Sequence, residues 1–332
     1  MKQERYNVAL IGCGDIAETG HLPALKVHPR FNLRALCDTS EARRTLLSSQ
    51  ASGVPAVENY RELLADKNID AVILALHPEV SVNVAIDCLR AGKAVLDEKP
   101  LARTLEDGNR LARQIQESNA VYQIGFVFRY APFILKAAEA ARRIGTPAMY
   151  SFLIYDERLD RSNREHFNRI QHALRTSSAI THEGSHVMDY FQLLNPCPFV
   201  KANASAFRTD EDFAGNNLWS AQLSCADGSI LSVEIGWLLP DLPPCELRIA
   251  GPRGRLRVDM RTGRGEISLM GACEPFEAPP LVQNWQRQLD VFASAIDAGK
   301  AQEATIEDGL RALRATVACE TSARSGQAQT LI

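Results

Sequence analysis

Short apolar runs alternate with segments of helical spacing through the first 126 residues. Val8–Ile11 and Ala71–Leu76 are continuous apolar runs, as expected of strands in a parallel sheet whose two faces are both covered. After the second run, apolar residues recur at helical intervals, beginning with Val82 and Ile86. Such alternation predicts a doubly wound α/β domain with a parallel sheet, which we assign to residues 1–126.

The hydrophobic period changes beyond residue 126. In the segment LSVEIGW, Leu231, Val233 and Ile235 point one way and the polar residues between them point the other. Several neighbouring segments alternate in the same manner, which predicts a large, mostly antiparallel sheet with one buried face. Two amphipathic helices close the chain. We therefore assign residues 127–332 to an α+β domain that binds substrate and mediates oligomerisation.

Composition narrows the function classes. The 332 residues carry a formal net charge of −3 and contain no Lys/Arg-rich block, which argues against nucleic-acid binding. No apolar run approaches the roughly 18–20 residues of a membrane helix, and the N-terminus enters a strand-like run directly. Eight scattered cysteines without a Cys-x-x-Cys pair favour reduced thiols. We expect a cytoplasmic protein with no membrane partner.

A glycine pattern follows the first predicted strand. Gly12 permits a tight turn, Gly14 lets a pyrophosphate approach bare backbone, and Ala17 completes G-x-G-x-x-A. A second strand ends at Asp38, 24 residues beyond Gly14, where a dinucleotide (Rossmann) fold places the acid that binds the ribose hydroxyls. This context predicts NAD as the cofactor. Arg43 and its neighbours leave NADP possible.

Residues 182–186 read His-Glu-Gly-Ser-His, the H-E-x-x-H string of zinc metalloproteases. Two features argue against zinc. Gly184 weakens the helix that must place the two histidines one above the other. The position six residues beyond His186, where the extended zinc motif has a third histidine, is Gln192. We therefore predict no metal site here, and keep a metal-dependent hydrolase only as an alternative.

Other motifs give the chain a family resemblance. Glu98-Lys99-Pro100 follows a sheet strand, and GFVFRY (Gly125–Tyr130) follows the last strand of the first domain. Together with the glycine turn and matching segments near residues 143–154, 249–260 and 304–327, they make the chain resemble the Gfo/Idh/MocA family of NAD(P)-dependent sugar and polyol oxidoreductases. The family motif D-x-G-x-H-x-x-D matches Gly184, His186 and Asp189, and His182 stands where the family usually has Asp.

The resemblance implies roles for individual residues. Lys99 would donate to the reacting oxygen, His186 would be the acid/base, and His182 would be a third catalytic position. Arg129 is a candidate substrate contact. The residues implied in cofactor binding are Gly12, Gly14, Asp15, Ile16, Asp38, His77, Glu98 and Lys99. Asp189, one helical turn beyond His186, either orients that imidazole or bonds backbone.

The same resemblance implies hydride transfer between a nicotinamide and a sugar, inositol or other polyol, in a homodimer or homotetramer. Two departures leave the substrate open. Thr176-Ser177-Ser178 replaces a glycine-rich loop, and Ser81 stands near where the family often has His. A non-catalytic, cofactor-binding regulator of the same fold is the main alternative.

Overall fold

The alternating signals of the N-terminal half form a six-stranded parallel sheet in the computed structural model, which describes residues 5–331. The strands are β1 (Tyr6–Ile11), β2 (Phe31–Cys37), β3 (Ala56–Val57), β4 (Ala71–Leu74), β5 (Ala94–Glu98) and β6 (Tyr122–Gly125). Their order is β3-β2-β1-β4-β5-β6, with every neighbouring pair parallel. β1 and β4 lie side by side at the centre, and β4 is fully buried, as its unbroken apolar run predicts.

Helices connect these strands, and short polar side chains fix where several of them begin. The helices are α1 (Leu22–Val27), α2 (Glu41–Gln50), α3 (Tyr60–Ala65), α4 (Pro78–Arg90) and α5 (Leu105–Ser118). Ser40 and Thr104 accept hydrogen bonds from the third backbone N–H of α2 and α5, which satisfies donors that the helix itself leaves unpaired. A π-helical segment, Ala17–His21, leads into α1.

The second half forms a nine-stranded sheet and contains three further helices. The helices are α6 (Pro132–Ile144), α7 (Arg164–Thr176) and α8 (Ala179–Leu194). The strands are β7 (Met149–Tyr155), β8 (Phe199–Phe207), β9 (Leu218–Cys225), β10 (Ile230–Gly236), β11 (Glu246–Gly251), β12 (Gly254–Asp259), β13 (Arg264–Leu269), β14 (Ala272–Glu277) and β15 (Gln329–Thr330). Only β7 and β10 pair in parallel among these strands. The predicted fold class is confirmed.

Helix α8 packs on β9 and β10, and α6 packs on β11, β12 and β13. Leu231, Val233 and Ile235 of β10 are wholly buried, while Glu234 is exposed. The alternation read from the sequence is therefore the alternation between the helix-covered face and the outer face.

The two last helices, α9 (Trp285–Ala298) and α10 (Ile306–Ser325), change the predicted domain division. The first unit runs to Val127 and also contains Asn284–Leu310, whereas the second comprises Phe128–Gln283 and the chain from Arg311 onward. Leu289 and Phe292 of α9 join the core that packs beside the parallel sheet. Residues 127–332 are therefore not one domain, because the apolar stripe of α9 is buried in the first unit.

None of the helices within residues 5–331 is long and apolar enough to cross a membrane. All eight cysteines lie in the described part of the chain and are free thiols there.

Candidate functional site

The glycine turn after β1 has the shape that a pyrophosphate needs. Gly12 has φ +94°, and a Cβ there would lie 2.2 Å from the carbonyl oxygen of Ala75, so only glycine fits. A Cβ on Gly14 would meet nothing within 4 Å, which leaves open space before the backbone. Asp15 and Ile16 form the first helical turn beyond it. Open space beside a helix N-terminus fits the phosphates of a dinucleotide.

Asp38, directly after β2, is held beside this turn. Its Oδ2 accepts a hydrogen bond from the backbone N–H of Cys13 at 2.7 Å, and its Oδ1 accepts from the N–H of Ser40 at 2.8 Å. Arg43 donates to the carbonyl of Cys13 and to Glu18, while Arg44 donates to the carbonyl of Asp38. Both guanidinium groups are thus engaged with protein acceptors. The carboxylate of Asp38 faces the turn where a ribose diol would bind.

At the end of β5, Glu98 is buried and Lys99 is partly exposed. The Nε2 of His21, in the π-helical segment, lies 2.9 Å from Glu98 Oε1, and the two side chains are 1% and 7% exposed. A Cβ on Gly125 would lie 2.9 Å from the carboxyl carbon of Glu98, so the glycine makes room for that side chain. The helix that follows the glycine turn and the strand that carries Lys99 are therefore joined by a buried polar contact.

Asp97, the residue before Glu98, is fully buried. Ser81 donates to one of its oxygens at 2.5 Å and Tyr122 donates to the other at 3.0 Å. Burial raises the pKa of Asp97 to about 7, against the opposing effect of these two hydrogen bonds. Ser81 is thus a hydrogen-bond donor to this buried carboxyl group. His77 caps α4, accepting from the N–H of Glu79 at 3.5 Å.

The second unit contains a cavity of about 360 Å³ that includes His186. Glu183, His186 and Tyr190 line it from α8, at positions i, i+3 and i+7 of one helical face. His186 is 4% exposed, and its ring meets Phe128 edge-on at 4.8 Å. Burial raises the pKa of Tyr190 well above its usual value, and the carboxylate of Glu183 adds to the rise. The rest of the wall is Phe128, Ile154, Tyr155, Asp156, Glu157, Leu242, Cys245, Met260, Arg261 and Leu281.

His182 lies on a different side of α8. One residue along a helix turns a side chain by roughly 100°, and the His182 ring instead packs 5.6 Å from the ring of Trp237. The residues that line the cavity include Glu183 and not His182. The sequence singled out the histidine as the position of interest, whereas the structure brings its neighbour to the cavity.

Arg129 and Asp189 form a buried ion pair in the second unit. Arg129 Nε donates to Asp189 Oδ2 at 3.1 Å, and Nη2 donates to Oδ1 at 2.5 Å. The two side chains are 7% and 1% exposed. Both carboxylate oxygens of Asp189 thus accept from Arg129, and neither residue lines the cavity. A substrate contact for Arg129 stays a prediction, and the structure gives the side chain a partner of its own.

The H-E-x-x-H string has no third ligand in the described structure. Within residues 5–331, no group of three or more His, Cys, Asp or Glu side chains is arranged to hold a metal ion. His182 packs against Trp237 and His186 against Phe128, so the two rings of the string have different surroundings.

Sequence reasoning missed most of the cavity wall. The spacing of Glu183, His186 and Tyr190 was the available signal, because three such residues share one face of a helix. Asp156 and Arg261 gave no local signal, since they follow strands that are distant in the sequence.

A parallel sheet with this glycine turn and ribose acid defines a dinucleotide-binding domain. Residues 6–126 match the family model described as an oxidoreductase family with an NAD-binding Rossmann fold, GFO_IDH_MocA. The match to this Gfo/Idh/MocA model covers the dinucleotide-binding part of the chain, where it confirms the resemblance and the expected cofactor class.

Relatives extend the comparison over the whole chain. Inositol 2-dehydrogenase 2 of Saccharopolyspora erythraea is 26% identical over 343 residues, covering 96% of this chain and 94% of the relative. The dTDP-3,4-didehydro-2,6-dideoxy-alpha-D-glucose 3-reductase of Actinomadura kijaniata is 34% identical over 125 residues, 38% of this chain and 37% of the relative. The family match and these relatives together indicate an oxidoreductase.

Among solved structures, an oxidoreductase from Agrobacterium radiobacter in complex with NAD+, L-tartaric acid and magnesium superposes with a TM-score of 0.85. The match covers 99% of this chain and 98% of that one at 18% identity, so it concerns the fold.

Proposed function

We propose that the protein transfers a hydride between a nicotinamide cofactor and a CH–OH group of a sugar, inositol or other polyol. The observation that carries this proposal is the cavity of the second unit, which has His186 in its wall and the volume of a small-ligand site. The inositol 2-dehydrogenase relative supports the same substrate class.

The nicotinamide supplies hydride acceptance and donation when bound, so the protein has to orient the substrate and move the hydroxyl proton. His186 is assigned the acid/base role, because its imidazole lies in the cavity wall and its ring is fixed edge-on to Phe128. Lys99 is assigned donation to the reacting oxygen. His21 and Gly125 hold Glu98, its neighbour in the chain, in a single position.

We further propose that NAD is preferred over NADP. Asp38 presents a carboxylate that accepts from ribose hydroxyls and repels a 2′-phosphate. Arg43 and Arg44 are the nearby cations that could bind that phosphate. They already donate hydrogen bonds to Glu18 and to main-chain carbonyls.

A panel of inositols, aldoses and alditols with NAD and with NADP, followed at the nicotinamide absorbance, tests the function. Turnover of at least one neutral polyol is expected. Tight NADH binding without turnover on any substrate would favour the alternative of a non-catalytic, cofactor-binding regulator. Metal-dependent hydrolysis by the purified protein, abolished by a chelator, would contradict the proposal outright.

A further inference from the structure

The cavity is small. Its volume of about 360 Å³ lies at the lower end of the range of about 300–1,000 Å³ that small-molecule sites occupy. One ring with its hydroxyl groups fits such a volume. All the residues of its wall belong to the second unit.

Acidic groups outnumber basic ones around this cavity. Asp156, Glu157 and Glu183 contribute three carboxylates, against the single guanidinium of Arg261. Arg261 spends one of its donors on the carbonyl oxygen of Tyr155, at 2.6 Å. No lysine lies in the wall. A phosphate group entering here would meet like charges and would lack the cationic donors that phosphate recognition uses.

Glu157 and Glu183 differ in their surroundings. Glu157 lies 3.3 Å from Arg169 and 3.6 Å from His166, so this carboxylate pairs with side chains of the first half of α7. Glu183 lies beside His186 on the cavity face of α8, one helical turn away. An ionised carboxylate only accepts hydrogen bonds, and neighbouring hydroxyl groups of a ring can donate to it.

The remaining wall suits the carbon face of a ring. Phe128, Ile154, Leu242, Met260 and Leu281 present apolar surface to the cavity. A ring polyol has hydroxyl groups around its edge and C–H groups on its faces. An apolar wall with a carboxylate at one side complements both kinds of surface.

From this arrangement we infer that the substrate is a single unphosphorylated ring polyol, and that Glu183 selects it by accepting hydrogen bonds from its hydroxyl groups. Sugar phosphates and nucleotide-linked sugars are excluded by the same wall. This inference rests on the proposed function for the identity of the reaction. It also places the carboxylate of the site at Glu183, next to position 182, where the family usually has Asp.

The test is calorimetric binding to the full-length protein saturated with NAD. The probes are myo-inositol, scyllo-inositol, D-glucose, D-galactose, D-glucose 6-phosphate and dTDP-glucose. At least one neutral ring is expected to bind, and the phosphorylated probes are expected to bind at least about tenfold more weakly, because like charges oppose them. Tighter binding of either phosphorylated probe, or no binding of any neutral ring, would overturn the inference.

The variant that isolates Glu183 is Glu183→Gln, which keeps the shape and removes the charge. It should weaken the binding of the neutral ring about tenfold, since a hydrogen bond to a charged acceptor is lost. It should also reduce the difference in affinity between the neutral ring and the phosphorylated probes. Glu139→Gln, on an exposed position of α6, is the matched control and should change neither. Unaltered NADH affinity and melting temperature verify that each variant folds.

Unchanged ring affinity and unchanged discrimination in Glu183→Gln would remove Glu183 from the inference. Failure of the proposed function gives a different result. A neutral ring that binds in a Glu183-dependent manner but is never oxidised or reduced would refute hydride transfer and leave the specificity assignment standing.

Discussion

Raising the pH through the mildly acidic range should weaken the first unit through one side chain, Asp97. Its carboxyl group is completely buried between Ser81 and Tyr122, and burial raises its pKa from 3.8 to about 7. In the unfolded chain the same group ionises near its ordinary value. Between these two pKa values the folded protein retains a proton that the unfolded chain has released.

The sign of the effect follows from that difference in bound protons. Where the folded state binds more protons, the free energy of unfolding falls as the pH rises. The contribution of Asp97 to the free energy of unfolding is fully present below about pH 4, decreases between about pH 4 and about pH 7, and stays constant at higher pH. A shift of about three pKa units at about 1.4 kcal/mol each makes the total loss about 4 kcal/mol.

Asp97→Asn replaces the carboxyl group with a neutral group of the same shape that can still accept from a hydroxyl. The free energy of unfolding of the variant should therefore not show this decline. As the pH rises from 4 to 7, the variant should become more stable relative to the wild type. Urea unfolding at a series of pH values measures this, with hydrogen exchange of peptides from β4, β5 and β6 as the local readout. Glu117→Gln, at an exposed position of α5, is the control.

Equal slopes for wild type and Asp97→Asn across this window would refute the reasoning, because the buried carboxyl group would then not be the group that titrates. A loss of stability in the variant at every pH would show that the hydroxyl groups of Ser81 and Tyr122 require a carboxyl oxygen at both positions.

Three further predictions concern the cofactor, the chemistry and the assembly. Asp38→Ala should weaken the binding of NADH about tenfold more than that of NADPH in a fluorescence titration, because the ribose diol loses a charged acceptor. Equal losses of affinity for the two cofactors would contradict the NAD preference. Lys99→Ala and His186→Ala should each lower turnover about 100-fold or more with little change in NADH affinity, since proton transfer belongs to the reaction step. Light scattering should give a dimer or tetramer at micromolar concentration, with the helix-free face of the large sheet as the contact, and a monomer would leave that face exposed.

Much of the first unit could be predicted from the sequence because its signals are local. A continuous apolar run such as β4 has one plausible environment, and Gly12 is required by the backbone geometry of a turn that joins adjacent elements. Asp38 was found by its distance from the glycines, and the structure holds it by a hydrogen bond from Cys13 within that turn. Each inference needed only neighbours in sequence or in one strand-turn-helix unit.

The elements that sequence reasoning missed depend on long-range contacts. Helix α7 is mostly polar and buries few residues, Ile170, Gln171 and Leu174, so it offers few apolar positions by which a helix can be recognised. The helical stripe of α9 was recognised correctly, but nothing in it indicates which of two cores will bury Leu289 and Phe292. An apolar stripe reports that a helix packs, and only the fold determines against what.

The H-E-x-x-H string illustrates the same limit at the scale of single residues. A motif gives residue types at fixed spacing, but an α-helix turns each successive side chain by roughly 100°, so adjacent positions have different environments. His182 is directed to Trp237, while Glu183 reaches the cavity with His186. If position 182 alone is compared with the family motif, the site therefore has lost a carboxylate. On the cavity face of the helix, the carboxylate is instead present one residue later, at Glu183. Two variants separate these descriptions: Glu183→Gln should alter the affinity for a ring polyol, and His182→Asn should not.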